Sequence, residues 1–290
     1  MDEHKWTQLG AVAPLEIARA RVELHWAAQI LAAAADALLE RAEDDSHTNL
    51  RWSHEHGALL GRPLGRGQGR GLGGELRLGL RVADLSLIVV DGERVGSVQA
   101  LRGMTIADGL LWAQEALASE KALAIRDYAM PVHPLGEGGA FGEGGGSFVE
   151  LGRYYGAATT ILGEFASREE GATSVAVWPH HFDLGGILFM PAKPEIGGEE
   201  APQIGFGMSP GDGSIPEPYF YVTPWPLAQS PDFPPLEGGG VWHREGFTGA
   251  LLRASTIVEG GVSGGEQRAR VARFLASALA ASRALILARP

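Results

Sequence analysis

The sequence predicts an α+β protein of two similar halves, each an antiparallel sheet meander flanked by helices, and three observations carry that expectation. Leu76, Leu78, Leu80 and Val82 alternate with polar or small residues, and Leu85 to Val90 with an Asp91-Gly92 turn completes a meander, the pattern of paired antiparallel strands. Three Ser/Thr-x-x-Asp/Glu boxes, at Thr105, Ser147 and Ser263, each precede a run of helical periodicity. A long helix, a His-bearing strand, a meander and a closing helix then recur in that order in both halves, as a pseudo-duplication would leave them. Residues 1–130 form the N-terminal half, 131–146 a Gly/Pro-rich linker and 147–290 the C-terminal half, packed as one unit.

Pro14 opens the first helix, which extends to about Arg41, with Ile17, Leu24, Leu31 and Leu38 facing the core at seven-residue spacing. Arg21, His25, Gln29 and Asp36 collect on another side, either as a solvated face or as the lining of a pocket. The acidic turn Glu43-Asp44-Asp45 follows, and His47 enters a short extended segment after it. The loop from Gly61 to Gly74 contains GxGxxG at Gly69, Gly71 and Gly74, but a strand follows it. The dinucleotide fingerprint needs a helix there, so the motif is rejected and only anion contact by Arg62, Arg66 or Arg70 is left open.

Thr105 caps a helix through Leu117. The run Pro131 to Gly146 has no lysine and two glutamates, which argues for a linker over a phosphate cradle. Ser147 to Glu150 opens a helix carrying Leu151, Tyr155, Ala158, Leu162 and Phe165 on one face. The chain then reads as one strand from Thr173 through Leu184 to Met190, followed by strands at 204–208, 219–222 and 249–252. The last helix starts at Ser263-Gly264-Gly265-Glu266-Gln267-Arg268. This resembles the signature loop of ABC-type ATPases, yet the G-x-x-x-x-G-K-[ST] loop that such enzymes need is missing, so the residues are read as a cap.

Composition narrows the function. With 24 Lys and Arg against 35 Asp and Glu, the formal charge of -11 repels phosphate backbones and anionic lipid, so neither nucleic acid nor membrane is an expected partner. The absence of cysteine excludes disulfides, thiolate catalysis and Cys-ligated metals. The opening residues lack a basic-then-apolar leader, and a cytoplasmic protein is expected.

The densest chemistry lies in Trp178-Pro179-His180-His181-Phe182-Asp183. As a strand, it sends His181 and Asp183 to one face and His180 with Trp178 and Phe182 to the other. Three readings stay open. A divalent metal would take His47, His181 and Asp183, since neutral imidazole and carboxylate suit Zn, Fe or Mn. His181 could act as a base oriented by Asp183, although no serine or threonine is placed as a nucleophile. Alternatively, His180 packs among the aromatics while His181 bonds locally.

Over most of its length the chain resembles an uncharacterised bacterial family of domains of unknown function. The matching residues are Leu24-His25 with Gln29, His47, the meander from Glu75 to Val90, Phe182-Asp183-Leu184, and Tyr219-Phe220-Tyr221 with Pro224 and Pro226. The family carries small residues where this chain has His180 and His181, so the resemblance supports His25, His47 and Asp183. It implies an architecture and no activity.

The expectation is therefore binding, with or without turnover, of a small polar molecule in a cleft lined by His25, His47, His180, His181, Asp183 and Tyr221. The catalytic candidates are His181, Asp183 and His47. The alternative is a scaffold or homo-oligomer joined through the aromatic stretch from Tyr219 to Trp242, which is costly to leave in water as one patch.

Overall fold

In the computed structural model, residues 6–65, 75–191, 201–227 and 232–288 are described. The Gly69, Gly71 and Gly74 motif lies outside them, as do Arg66 and Arg70. The chain is α+β, with two similar antiparallel sheet halves carrying helices. Its two compact units interleave in sequence: residues 16–152 with 176–183 make one, and residues 1–15, 153–175 and 184–290 make the other. The expected boundaries follow chain order, whereas the units trade short segments.

In the first unit, helix α1 (Ala18–Leu38) packs on the sheet and on helix α2 (Ile106–Ala116). The sheet is a meander in the order β1 (Arg51–Ser53), β2 (Ala58–Leu60), β3 (Leu76–Arg81), β4 (Ser86–Asp91) and β5 (Arg94–Ala100). Its register pairs Leu78 with Val89 and Leu80 with Leu87 on one face. Ala58, Ile88 and Val90 form a cluster on the other. Apolar side chains on both faces explain why all but the last residue of β4 is buried. Thr105 caps α2 as expected, its Oγ1 accepting from the Asp108 backbone N–H while the Asp108 carboxylate accepts from the Thr105 N–H.

The expected linker is part of this unit. Pro134–Glu137 forms a 3-10 turn, Ala140 and Phe141 bridge to Thr105 and Arg102, and the Gly142 N–H donates to the buried Glu23 carboxylate at 2.8 Å. Tertiary partners order a run whose glycines and prolines forbid an element of its own. Strand β6 (Ala176–Trp178) joins the unit through paired backbone hydrogen bonds between Val177 and Leu50.

In the second unit, β7 (Asp183–Phe189), β8 (Gln203–Ser209), β9 (Tyr219–Trp225), β10 (Val241–His243) and β11 (Gly249–Arg253) form a sheet in which the order runs β10-β11-β9-β8-β7. Helix α3 (Gly146–Ser167) starts in the first unit and ends in this one. It brings Phe165 edge-on to Phe206 at 5.0 Å. The short α4 (Ala254–Val258) leads to α5 (Gly264–Leu287), which packs on β9 and β11. Ser263 caps α5 as expected. Ser147 does not cap α3, because the helix begins one residue earlier and the Ser147 hydroxyl donates to the Glu16 carbonyl.

Candidate functional site

The stretch read as one strand is a hairpin. β6 stops at Trp178 because Pro179 has no N–H to offer the ladder. The N–H groups of His181 and Phe182 fold back onto the Trp178 carbonyl, and Phe182 takes a left-handed φ of 60° before β7 begins. The strand alternation expected for these residues is thereby lost. His180 and His181 are neighbours with ring centroids 4.4 Å apart, not side chains on opposite faces.

Helix α1 holds this turn from within the same unit. The Pro179 carbonyl accepts from His25 Nε2 at 2.9 Å and from Gln29 Nε2 at 2.7 Å, and the His25 ring stacks on Phe182 at 5.3 Å. At these two positions the polar side of α1 is therefore not a solvated face: His25 is 7% exposed and Gln29 1%. A carbonyl only accepts, so His25 carries its proton on Nε2. Burial pushes its pKa down to about 4, outweighing the Pro179 hydrogen bond, and nearby Arg21 lowers it further. His25 is a neutral donor whose task is to position the turn.

A second network surrounds His47, which is in a 3-10 turn (Ser46–Thr48) and not in the expected extended segment. Its Nδ1 accepts from the Ala42 N–H at 3.3 Å, so Nε2 carries the proton and donates to Asp36 Oδ1 at 2.8 Å. Arg126 reaches the same Asp36 oxygen, and its other guanidinium nitrogen donates to Asp45 Oδ1 at 2.6 Å and to the Tyr128 hydroxyl at 3.0 Å. The Arg126 hydrogen bond holds the Asp45 carboxyl below the usual carboxylate range despite some desolvation. Desolvation works against the charge on Arg126, but the Asp45 hydrogen bond and the Asp36 charge outweigh it and raise its pKa.

The two networks meet at Tyr128, whose ring lies 5.9 Å from that of His180. Trp178 stands edge-on to His180 at the same separation. Burial, then the adjacent His181, lowers the His180 pKa; Asp183 and Asp45 oppose that shift and Arg126 adds to it. His180 is thus neutral at pH 7, half-buried, and flanked by the exposed His181 and half-buried Asp183. His47 and residues 180–183 belong to one unit.

The predicted metal set does not assemble. Among the described residues no group of three or more His, Asp or Glu side chains could hold an ion. The reason is visible at His47: its Nε2 is committed to Asp36, and the Arg126 guanidinium already supplies the positive charge between the carboxylates. Tyr221 belongs to the other unit, on β9, where its ring covers Gly207.

Arg126 and Tyr128 are the residues that sequence reasoning missed. They sit in an irregular segment after α2 with no periodicity or motif, and only the closeness of an arginine and a tyrosine two positions apart marks them. The aromatic stretch on which self-association rested is divided: Tyr219 and Phe220 are buried, Trp242 donates to the Pro234 carbonyl at 2.7 Å beside Phe233, and Trp225 is 53% exposed. No protein-family model, curated protein or solved structure matches this chain.

Proposed function

We propose that the His180 turn is a binding face for a small polar molecule bearing hydrogen-bond donors, such as an amine, amide or polyol. The observation that carries this reading is the environment of one ring. His180 is kept neutral by partial burial, faces Tyr128, Trp178 and His181, and feels the charges of Asp183, Asp45 and Arg126. A neutral imidazole can accept a hydrogen bond on one nitrogen and donate on the other, while flanking aromatic rings cover an apolar or cationic portion of a ligand.

Charge favours donors over anions. Asp36, Asp45 and Asp183 give three negative charges against two positive ones from Arg126 and Arg41, the latter 3.8 Å from Asp45, which leaves a formal -1. A carboxylate or phosphate ligand would be repelled unless it displaced part of the ion network. The family resemblance, proposed here as kinship, is in keeping: His25, His47 and Asp183 hold the turn, anchor the network and flank the ring, so each supports the same face.

A thermal-shift panel of small amines, amides, polyols and carboxylates tests this on wild type, His180→Ala and Asp183→Asn. Donor-bearing compounds should raise the melting temperature of wild type and of neither variant, with circular dichroism unchanged. If no compound stabilises the protein, or if both variants respond like wild type, the reading fails.

A further inference from the structure

The second unit carries a groove that the site above does not use. Helices α3 and α5 flank a cavity of about 330 Å³, at the small end of ligand pockets. Phe165, Leu275 and Leu279 give it an apolar lining. Ala272, Ala276 and Ala280 form the α5 wall; they recur every four residues and so share one stripe of the helix, exposed to solvent. Methyl groups at these positions leave the space open, and any longer side chain would fill it.

The rim is charged. Arg268 bonds Glu164 and Arg283 bonds Glu169, both at 2.6 Å, tying the helices together. Arg168 lines the same cavity with its side chain 75% exposed, and it reaches only to 3.8 Å from the Glu164 oxygen that Arg268 already holds. Three arginines against two glutamates leave a formal +1 at the groove, in a chain whose net charge is -11. Local reversal of charge above an apolar floor matches a molecule with an anionic head and an apolar body.

We propose that this groove binds a small amphipathic carboxylate, its chain against Phe165, Leu275 and Leu279 and its carboxylate on Arg168. The proposal is independent of the His180 face. Isothermal titration of the full chain with decanoate, and with decylamine as the charge-reversed control, tests it. Decanoate should saturate one site and decylamine should not bind. Ala276→Phe, an exposed position, should abolish binding by filling the groove. Arg168→Gln should weaken it about tenfold, the worth of one charge-assisted hydrogen bond. The proposal is overturned if decanoate does not bind, if decylamine binds equally, or if either variant leaves the affinity unchanged. Light scattering that shows Ala276→Phe dissociating a dimer, with no decanoate bound by wild type, would instead make the groove a self-association face.

Discussion

Replacing His25 with glutamine should make the protein less sensitive to acid, and the size of the effect follows from where the ring sits. Folding lowers the His25 pKa from 6.5 to about 4, chiefly by burial. The unfolded chain therefore takes up its proton first on acidification. The associated stability is complete above pH 6.5, falls as the pH drops and is exhausted below about 4. Between pH 6.5 and 5 the chain crosses about one and a half pH units at about 1.4 kcal/mol each, so His25 alone should cost the wild type about 2 kcal/mol.

At 7% exposure the ring is too buried for solvent screening to erase this cost. Physically, an imidazolium at this position would lose hydration, and the backbone hydrogen bonds to Pro179 and His180 do not repay that loss. Urea denaturation at pH 7.5 and pH 5, followed by tryptophan fluorescence, measures the loss. His25→Gln should begin less stable at pH 7.5 yet lose about 2 kcal/mol less on going to pH 5. His180, whose shift has the same sign, is present in both proteins and cancels in the comparison. Equal losses in the two proteins would refute the reasoning, as would an NMR titration placing the His25 ring near pH 6.5.

Three further outcomes are expected. Arg126→Gln removes the cation shared by Asp36 and Asp45 and should destabilise the protein by about 2–4 kcal/mol in urea, since it takes the arginine from the partly buried Asp36 beside His47 and leaves Asp45 only the more distant Arg41. Gly207→Ala should cost about 1–3 kcal/mol or more: its Cβ would lie 2.5 Å from the Leu184 carbonyl oxygen and 2.4 Å from the Tyr221 hydroxyl, and the backbone on that side cannot give way. Calorimetry should show the lower melting temperature. Ala118→Gly should instead stabilise the protein by about 0.5–1 kcal/mol and raise the melting temperature slightly, because Ala118 is exposed just past the end of α2 with a left-handed φ of 50° that favours glycine.

Much of the architecture was legible because its signals are local. The caps at Thr105 and Ser263 involve groups three residues apart, and the alternation from Leu76 to Val82 needs no knowledge of what lies above the sheet. The cap at Ser147 failed for a reason equally local: helix α3 already begins at Gly146, which moves the serine into the first turn.

The candidate site was legible only in its residue types. Periodicity placed Arg21, His25, Gln29 and Asp36 on one side of α1 but could not say what covers it. In the fold a proline carbonyl more than a hundred residues away takes two of those side chains, and an arginine in an irregular segment takes a third. The chain turns at Pro179, α1 captures the proline carbonyl, and His180 and His181 lie side by side, which strand alternation does not show. By itself, then, the sequence determined the α+β class, the meander, the positions of most helices and the absence of thiol chemistry, all consequences of spacing and composition. Tertiary structure alone decided that His25 is a neutral prop, that His47 belongs to an ion network, and that His180 is half-buried among Tyr128, Trp178 and His181, because each depends on partners that chain entropy keeps apart until the core forms.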